Sequence, residues 1–313
     1  MSGGGPICLV HLVRERNGIE PFARFIDSYR RQDPGVEHEL VMLYKGFGGP
    51  GALEAHRRLL SGLRFEEQLI ADDGFDVDAY VGVAGQLRRA RYCFVNSFSQ
   101  ARAPGWLAAL DGALDRPGVG LAGATGSWAS IFSYALYELR LPSAYAQVFP
   151  DHGRTRQLMQ LVSADAGPVL PYHRRGIASL LAGARSALER LVGFAPYPAR
   201  HVRTNSFALR AETLARLVVP RAGRKAQAHR LESGRAGITA QVEGMGLRPV
   251  LVGRDGVAYE PEDWPASETF WQGAQRNLLV ADNQTEKYDG GDADVRELLS
   301  RFAWGTRARP ANG

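Results

Sequence analysis

The chain has 313 residues, 45% of them hydrophobic and 23% charged, which suits one large α/β domain or two small ones and excludes disordered, collagen-like and coiled-coil classes. No apolar run reaches the roughly 18 residues of a bilayer span, and MSGGGP at residues 1–6 lacks the basic-then-apolar order of a secretory signal. The expectation is a cytoplasmic protein with at most peripheral membrane association. The net charge of +5 comes from 38 basic against 33 acidic residues, and Lys45, Lys225 and Lys287 are the only lysines. Arginine therefore dominates, and its guanidinium fork suits phosphates and carboxylates. The basic residues are spread without interleaved aromatics, which argues against a nucleic-acid partner. Cys8 and Cys93 sit inside apolar runs and read as buried reduced thiols.

In chain order, residues 7–13 read as a strand and 19–32 as a helix with Phe22, Phe25, Ile26 and Tyr29 on one face. A strand at 39–44, a helix at 52–63 and a strand at 68–71 follow. Next come a helix at 78–90 opened by acidic residues, a strand at 92–95, a helix at 104–114 with proline near its first turn, and a strand at 119–122. Residues 123–200 break the alternation and hold one clear helix at 177–191, so they read as a substrate-shaping insertion. The pattern resumes with a strand at 201–209, a helix at 233–244 and a strand at 248–252, before a polar, Trp-bearing tail. Strands alternating with helices predict a mostly parallel sheet covered by helices, a Rossmann-like α/β fold.

Two motifs carry candidate chemistry on their own. Gly46-Phe47-Gly48-Gly49-Pro50-Gly51 fits G-x-G-x-x-G between a strand and a helix, and Asp72 follows 21 residues after Gly51. That is a formal dinucleotide fingerprint, although it follows the second strand rather than the first and Gly-Pro-Gly is also ordinary turn chemistry. The segment Asp72-Asp73-Gly74-Phe75-Asp76-Val77-Asp78 places four carboxylates in seven residues. It is either a solvated loop leading into a helix or a contact for ribose hydroxyls or a divalent metal.

The order of three further segments is informative: Phe94-Val95-Asn96-Ser97-Phe98-Ser99, then Pro104-Gly105-Trp106-Leu107, then Gly118 to Ala124. Together with Asp73-Gly-Phe-Asp-Val-Asp78, they give a layout that resembles family 2-like glycosyltransferases of the GT-A fold, in particular the rhamnan-synthesis transferases. The resemblance spans roughly residues 7–125 and 200–255. It implies a nucleotide-diphosphate sugar as donor, a carbohydrate or lipid-linked acceptor, and Mg2+ or Mn2+ as cofactor. The family's metal-binding aspartate at the end of the fourth strand is replaced here by Asn96 and its neighbours. Either the metal site is rebuilt, with Asp76 or Asp78 joining Asn96, or it is absent and arginines steady the leaving diphosphate.

Glu232 falls where the resemblance implies the general base, and the bland alternative is a helix-start carboxylate with Ser233 as N-cap. Donor contacts are expected at the carboxyl ends of the first strands, which nominates His11, Arg14, Asp76, Asp78, Asn96 and Ser99. The polar residues Arg203 and Asn205 join them from the strand at 201–209. Ser127 and Trp128 suit a platform for an acceptor sugar, and Asp282 and Asn283 in the tail suit closure over the site or contact with a cation. No G-x-S-x-G elbow or H-E-x-x-H pair is present. The expectation is a GT-A-like domain at 1–260, with an acceptor-shaping insertion at 123–200 and a C-terminal extension at 261–313. It would act as an inverting hexosyltransferase in surface polysaccharide biosynthesis. The alternatives are a nucleotide-dependent oxidoreductase using the Gly46–Gly51 loop and a non-catalytic nucleotide-sugar-binding module.

Overall fold

The computed structural model describes residues 5–49, 51–162, 189–220 and 225–308. The apolar runs read from the sequence form β1 (Ile7–Arg14), β2 (His38–Lys45), β3 (Glu66–Ile70) and β4 (Arg91–Val95). They are followed by β5 (Gln100–Ala101), β6 (Val119–Gly123), β7 (Gly126–Ser127), β8 (His201–Val202), β9 (Ser206–Arg210), β10 (Arg248–Val252), β11 (Ala258–Tyr259) and β12 (Val280–Ala281). Eight of these make one sheet in the order β11-β10-β6-β9-β4-β1-β2-β3. Strands β1 to β4 run parallel, as do β6 and β10, while β9 runs antiparallel between β4 and β6. The expected α/β class, a Rossmann-like and mostly parallel sheet flanked by helices, is therefore the one observed.

Both faces of the inner strands are covered, which is why β1 and β4 read as continuous apolar runs rather than alternating ones, while the edge strand β3 is partly exposed. Along β1, Cys8, Val10 and Leu12 pack beneath the helix Asp76–Leu87, while Ile7, Leu9 and Val13 pack beneath the helices Glu20–Arg31 and Trp106–Ala113. Removing each such side chain from water contributes roughly 1.5 to 3 kcal/mol. The C-terminal segment belongs to the first of these layers. Trp264, Phe270, Tyr288, Leu299 and Trp304 are buried in the same cluster as β1 and β4, and β12 pairs with β5.

Several sequence expectations are corrected. The strand at 201–209 is two strands, because residues 203–205 turn to place polar side chains, and only β9 enters the main sheet. The helix at 233–244 is two helices, Lys225–Ser233 and Ile238–Gly244. They break at Gly234, where a Cβ would lie 2.5 Å from the Arg230 carbonyl oxygen. The helix at 52–63 shrinks to Glu54–Leu59, and the one at 78–90 starts earlier, at Asp76. Residues 123–162 hold the helices Ile131–Glu138, Ala144–Val148 and His152–Val162 that the aromatic-rich sequence concealed. Of the helix expected at 177–191, residues 177–188 lie outside the described residues. The tail is ordered too, with helices Asn283–Asp289 and Ala293–Trp304.

His11 is the clearest relocation. It sits in the middle of β1, fully buried, with its ring stacked on Phe25 at 3.6 Å between centroids and on Phe22 at 5.9 Å. Burial lowers its pKa from the usual 6.5 to about 3. The imidazole is neutral in the folded chain and charges readily in the unfolded one, so the unfolded state binds the extra proton throughout the window between those values. Stability is expected to fall as pH drops through that window, by at most about 1.4 kcal/mol per pH unit from this group. His11→Leu should flatten the acid limb of a plot of unfolding free energy against pH. An unaltered limb would remove His11 from the account.

Candidate active site

The carboxyl ends of the strands bring three sets of residues to one rim, the usual ligand crevice of such a sheet. The first set is cationic. Arg14 ends β1 and Lys45 ends β2, and the two are partners in the parallel register, so their side chains share a face. They are 5% and 1% exposed. Arg14 pairs with Asp76, the first residue of the helix Asp76–Leu87. Lys45 Nζ donates to the carbonyl oxygens of Gly74 at 2.8 Å and Phe75 at 3.5 Å. Burial lowers the Lys45 pKa and the Arg14 charge lowers it further, while Asp76, Asp72 and Asp73 act in the opposite direction. Arg14 Nε is buried and meets no partner, and an unmade hydrogen bond from a charged donor is costly.

The second set is a connected polar network. Asn96 follows β4 and its backbone N–H donates to the Asn205 carbonyl oxygen at 2.8 Å, the same oxygen that accepts from Ser99 Oγ at 2.8 Å. Asn205 Oδ1 accepts from Thr125 Oγ1 at 2.5 Å, and Thr125 in turn accepts from Arg203 Nη1 at 3.3 Å. Arg203 Nη2 donates to Asp282 Oδ2 at 2.7 Å, and its guanidinium lies 4.3 Å from the centroid of the Phe270 ring. The network therefore ties the end of β4, the turn before β9 and the C-terminal segment together.

The third set surrounds Glu232. Its Oε1 accepts from the Thr204 backbone N–H at 3.4 Å. It stands near His201, whose Nδ1 donates to the Ala199 carbonyl oxygen at 2.8 Å. Burial lowers the His201 pKa, and the Glu232 charge partly offsets this. Glu232 occupies the last turn of the helix Lys225–Ser233, and Ser233 Oγ donates back to the His229 carbonyl oxygen. Ser233 is thus at a helix end and not an N-cap, and the dipole at that end opposes a carboxylate.

Of the residues nominated from sequence, Arg14 and Asp76 meet, and Asn96, Ser99, Arg203, Asn205 and Asp282 meet. Asp78 instead closes its own helix, accepting from the Phe75 N–H at 2.7 Å. His11 lies in the core. Trp128 is a correction: it is 6% exposed, with Trp304 at 6.2 Å, Tyr197 at 6.4 Å and the Arg307 guanidinium at 5.1 Å from its ring, so packing leaves no open platform. Ser127 is buried, with its Oγ accepting from the Ala129 N–H at 3.0 Å, and Asn283 is exposed on the first turn of its helix. Lys45, Thr125 and Phe270 were missed. Only Lys45 carried a signal, as a rare lysine closing an apolar strand.

The Gly46–Gly51 loop does not cradle a dinucleotide in the expected way. Gly46, Gly49 and Gly51 all have positive φ, the Gly46 N–H extends the β2–β3 ladder by donating to the Ile70 carbonyl oxygen, and the helix Glu54–Leu59 is a short one set beyond the last glycine. Pro50 lies outside the described residues. At Gly46, φ is +82° and a Cβ would stand 2.9 Å from Asp72 Cβ. Gly46→Ala is expected to cost about 1 to 2 kcal/mol in a urea unfolding curve. A wild-type midpoint would show that the loop is not held against Asp72.

A divalent cation is poorly served by these residues. Asn96 Oδ1 already accepts from the Phe98 N–H at 3.0 Å and lies 2.9 Å from Ser99 Oγ, whose single proton it shares with the Asn205 carbonyl oxygen. Asp282 Oδ1 accepts from the N–H groups of Gln284 and Thr285 while Oδ2 holds Arg203. Among the described residues no group of three or more His, Cys, Asp or Glu side chains is placed to hold an ion.

No protein-family profile matches the chain, and no curated protein matches it by sequence. Solved structures do align with it. A mannosyltransferase from Pyrobaculum calidifontis in complex with GDP-mannose and Mn2+ aligns at 13% identity over 96% of this chain and 70% of its own, with a TM-score of 0.45. A CMP-2-keto-3-deoxy-manno-octonic acid synthetase complexed with CTP aligns at 15% identity over 79% of this chain and 90% of its own, with a TM-score of 0.40. The glucosyl-3-phosphoglycerate synthase of Mycobacterium tuberculosis, with Mn2+, UDP and phosphoglyceric acid, aligns at 16% identity over 77% and 62%, with a TM-score of 0.35. The fold assignment rests on the strand order and directions above.

Proposed function

We propose that the chain is a GT-A-type glycosyltransferase that moves a sugar from a nucleotide-diphosphate donor to a carbohydrate or lipid-linked acceptor with inversion, in surface polysaccharide biosynthesis. One observation carries this reading. The antiparallel β9 is inserted beside β4, so the turn at 203–205 stands next to Asn96, with Glu232 on one side of it and the basic rim of Arg14 and Lys45 beyond β4. On this reading a carboxylate and a set of fixed cations lie on opposite sides of that turn. Transfer with inversion needs that division of labour: a carboxylate takes the proton of the attacking hydroxyl while positive charge steadies the departing diphosphate. The order of sequence motifs along the chain points the same way.

In this scheme Glu232 deprotonates the acceptor, Arg14 and Arg203 face the diphosphate, and Asn205 and Ser99 shape the wall between them. The described residues 123–162 and 189–200 of the insertion, with those at 261–308, would complete the acceptor side. The test is calorimetric titration with UDP, GDP and dTDP, followed by a nucleotide-sugar panel with donor hydrolysis as readout. Binding of at least one diphosphate and hydrolysis of its sugar conjugate are expected. Silence with all three nucleotides would overturn the reading.

A further inference from the structure

We infer that this site holds its nucleoside diphosphate without a divalent cation, and that Arg14 and Arg203, standing on either side of Asn96, supply the positive charge. The inference rests on the glycosyltransferase reading above and concerns how that same site is built. It starts from the sheet order. β4 lies between β1 and β9, and adjacent strands are about 4.8 Å apart. The residue that follows β4 is Asn96, which stands level with Leu12 on the β1 side and with Asn205 on the β9 side. Arg14 and Arg203 lie two residues further along on those two sides.

Asn96 offers only a neutral amide oxygen, which already accepts from the Phe98 N–H and competes with the Asn205 carbonyl oxygen for the single Ser99 Oγ proton. A metal at this position would meet a neutral ligand, which holds hard cations weakly. The arginines, by contrast, have donors left over. Arg14 is 5% exposed and its Nε is buried without a partner. Arg203 directs two of its N–H groups to Thr125 and Asp282, out of the five a guanidinium offers. Lys45, paired in register with Arg14, adds a second buried cation behind it. Asp76 pairs with Arg14 and Asp282 with Arg203, so a diphosphate would share each guanidinium with a carboxylate, through the donors that the ion pair leaves over. Fixed guanidinium groups also grip phosphate oxygens bidentately, which a rim built for a bound metal does not require.

The deciding experiment is calorimetric titration of the full chain with UDP, GDP and dTDP, first in EDTA and then with Mn2+. Equal affinity in the two buffers is expected for whichever nucleotide binds. The paramagnetic resonance signal of free Mn2+ in the presence of nucleotide should also be unchanged when the protein is added. Arg14→Met should weaken binding in EDTA by about tenfold or more, the loss of one charged hydrogen bond, with its fold checked by circular dichroism. The wild-type comparison decides the matter if that variant does not fold. Binding that appears only when Mn2+ is added would overturn the inference and leave the transferase reading standing. Failure of all three nucleotides in both buffers would overturn both.

Discussion

Arg203→Met is expected to destabilise the protein by about 3 kcal/mol, the low end of what removing one partner of a buried ion pair costs. Asp282 is the reason. Its side chain is 1% exposed and faces Arg203 Nη2 at 2.7 Å, so the substitution strands a carboxylate away from water. The loss should not reach the top of the range, because Asp282 Oδ1 still accepts two backbone N–H groups as the N-cap of the helix Asn283–Asp289. Methionine also keeps the apolar contact with Phe270 that the guanidinium made. Adding Asp282→Asn to the variant should recover part of the loss, since the stranded charge is then gone while an N-cap remains. Urea unfolding of the two single variants and the double variant closes the cycle. A cost below about 1 kcal/mol for Arg203→Met, the level of an exposed pair, would mean that the C-terminal segment is not clamped through this contact.

Glu232→Gln is expected to lower the transfer rate by about a hundredfold to ten-thousandfold, the usual contribution of a general base, while leaving donor binding unchanged. Glutamine keeps the oxygen that accepts from the Thr204 N–H and removes the proton acceptor. The position argues for this role because nothing structural requires a carboxylate there. A helix C-terminus disfavours negative charge, and the contact with Thr204 is long at 3.4 Å. The split between turnover and donor affinity is the diagnostic. A variant with wild-type turnover would place the base elsewhere, and one that lost donor affinity in step with turnover would make Glu232 a binding residue.

The two variants probe different kinds of legibility. Arg203 and Asp282 were each visible as polar residues in apolar surroundings, but they are separated by 79 positions and nothing in a single sequence pairs them. Glu232 was picked for its place in a motif order, yet the helix it belongs to was assigned the wrong way round. Gly234 and Gly237 divide what reads as one periodic stretch, which turned an apparent helix start into a helix end. Residues 203–205 hid a turn for the opposite reason, since Arg-Thr-Asn carries no glycine or proline to mark one. Trp128 and His11 looked like ligand contacts and are packed instead, His11 stacked on Phe22 and Phe25 and Trp128 met by Trp304 and the Arg307 guanidinium.

By itself the sequence determined the parallel strands and their cover of helices. Those features follow from local hydrophobic period and chain direction, which act over a few residues at a time. The tertiary structure alone decided that β9 runs against its neighbours, that Asn96 spends its oxygen on its own turn, and that Arg14 and Arg203 come to flank it. These depend on which distant segments share hydrogen bonds and burial, and such pairings are settled by the free energy of the whole packed chain.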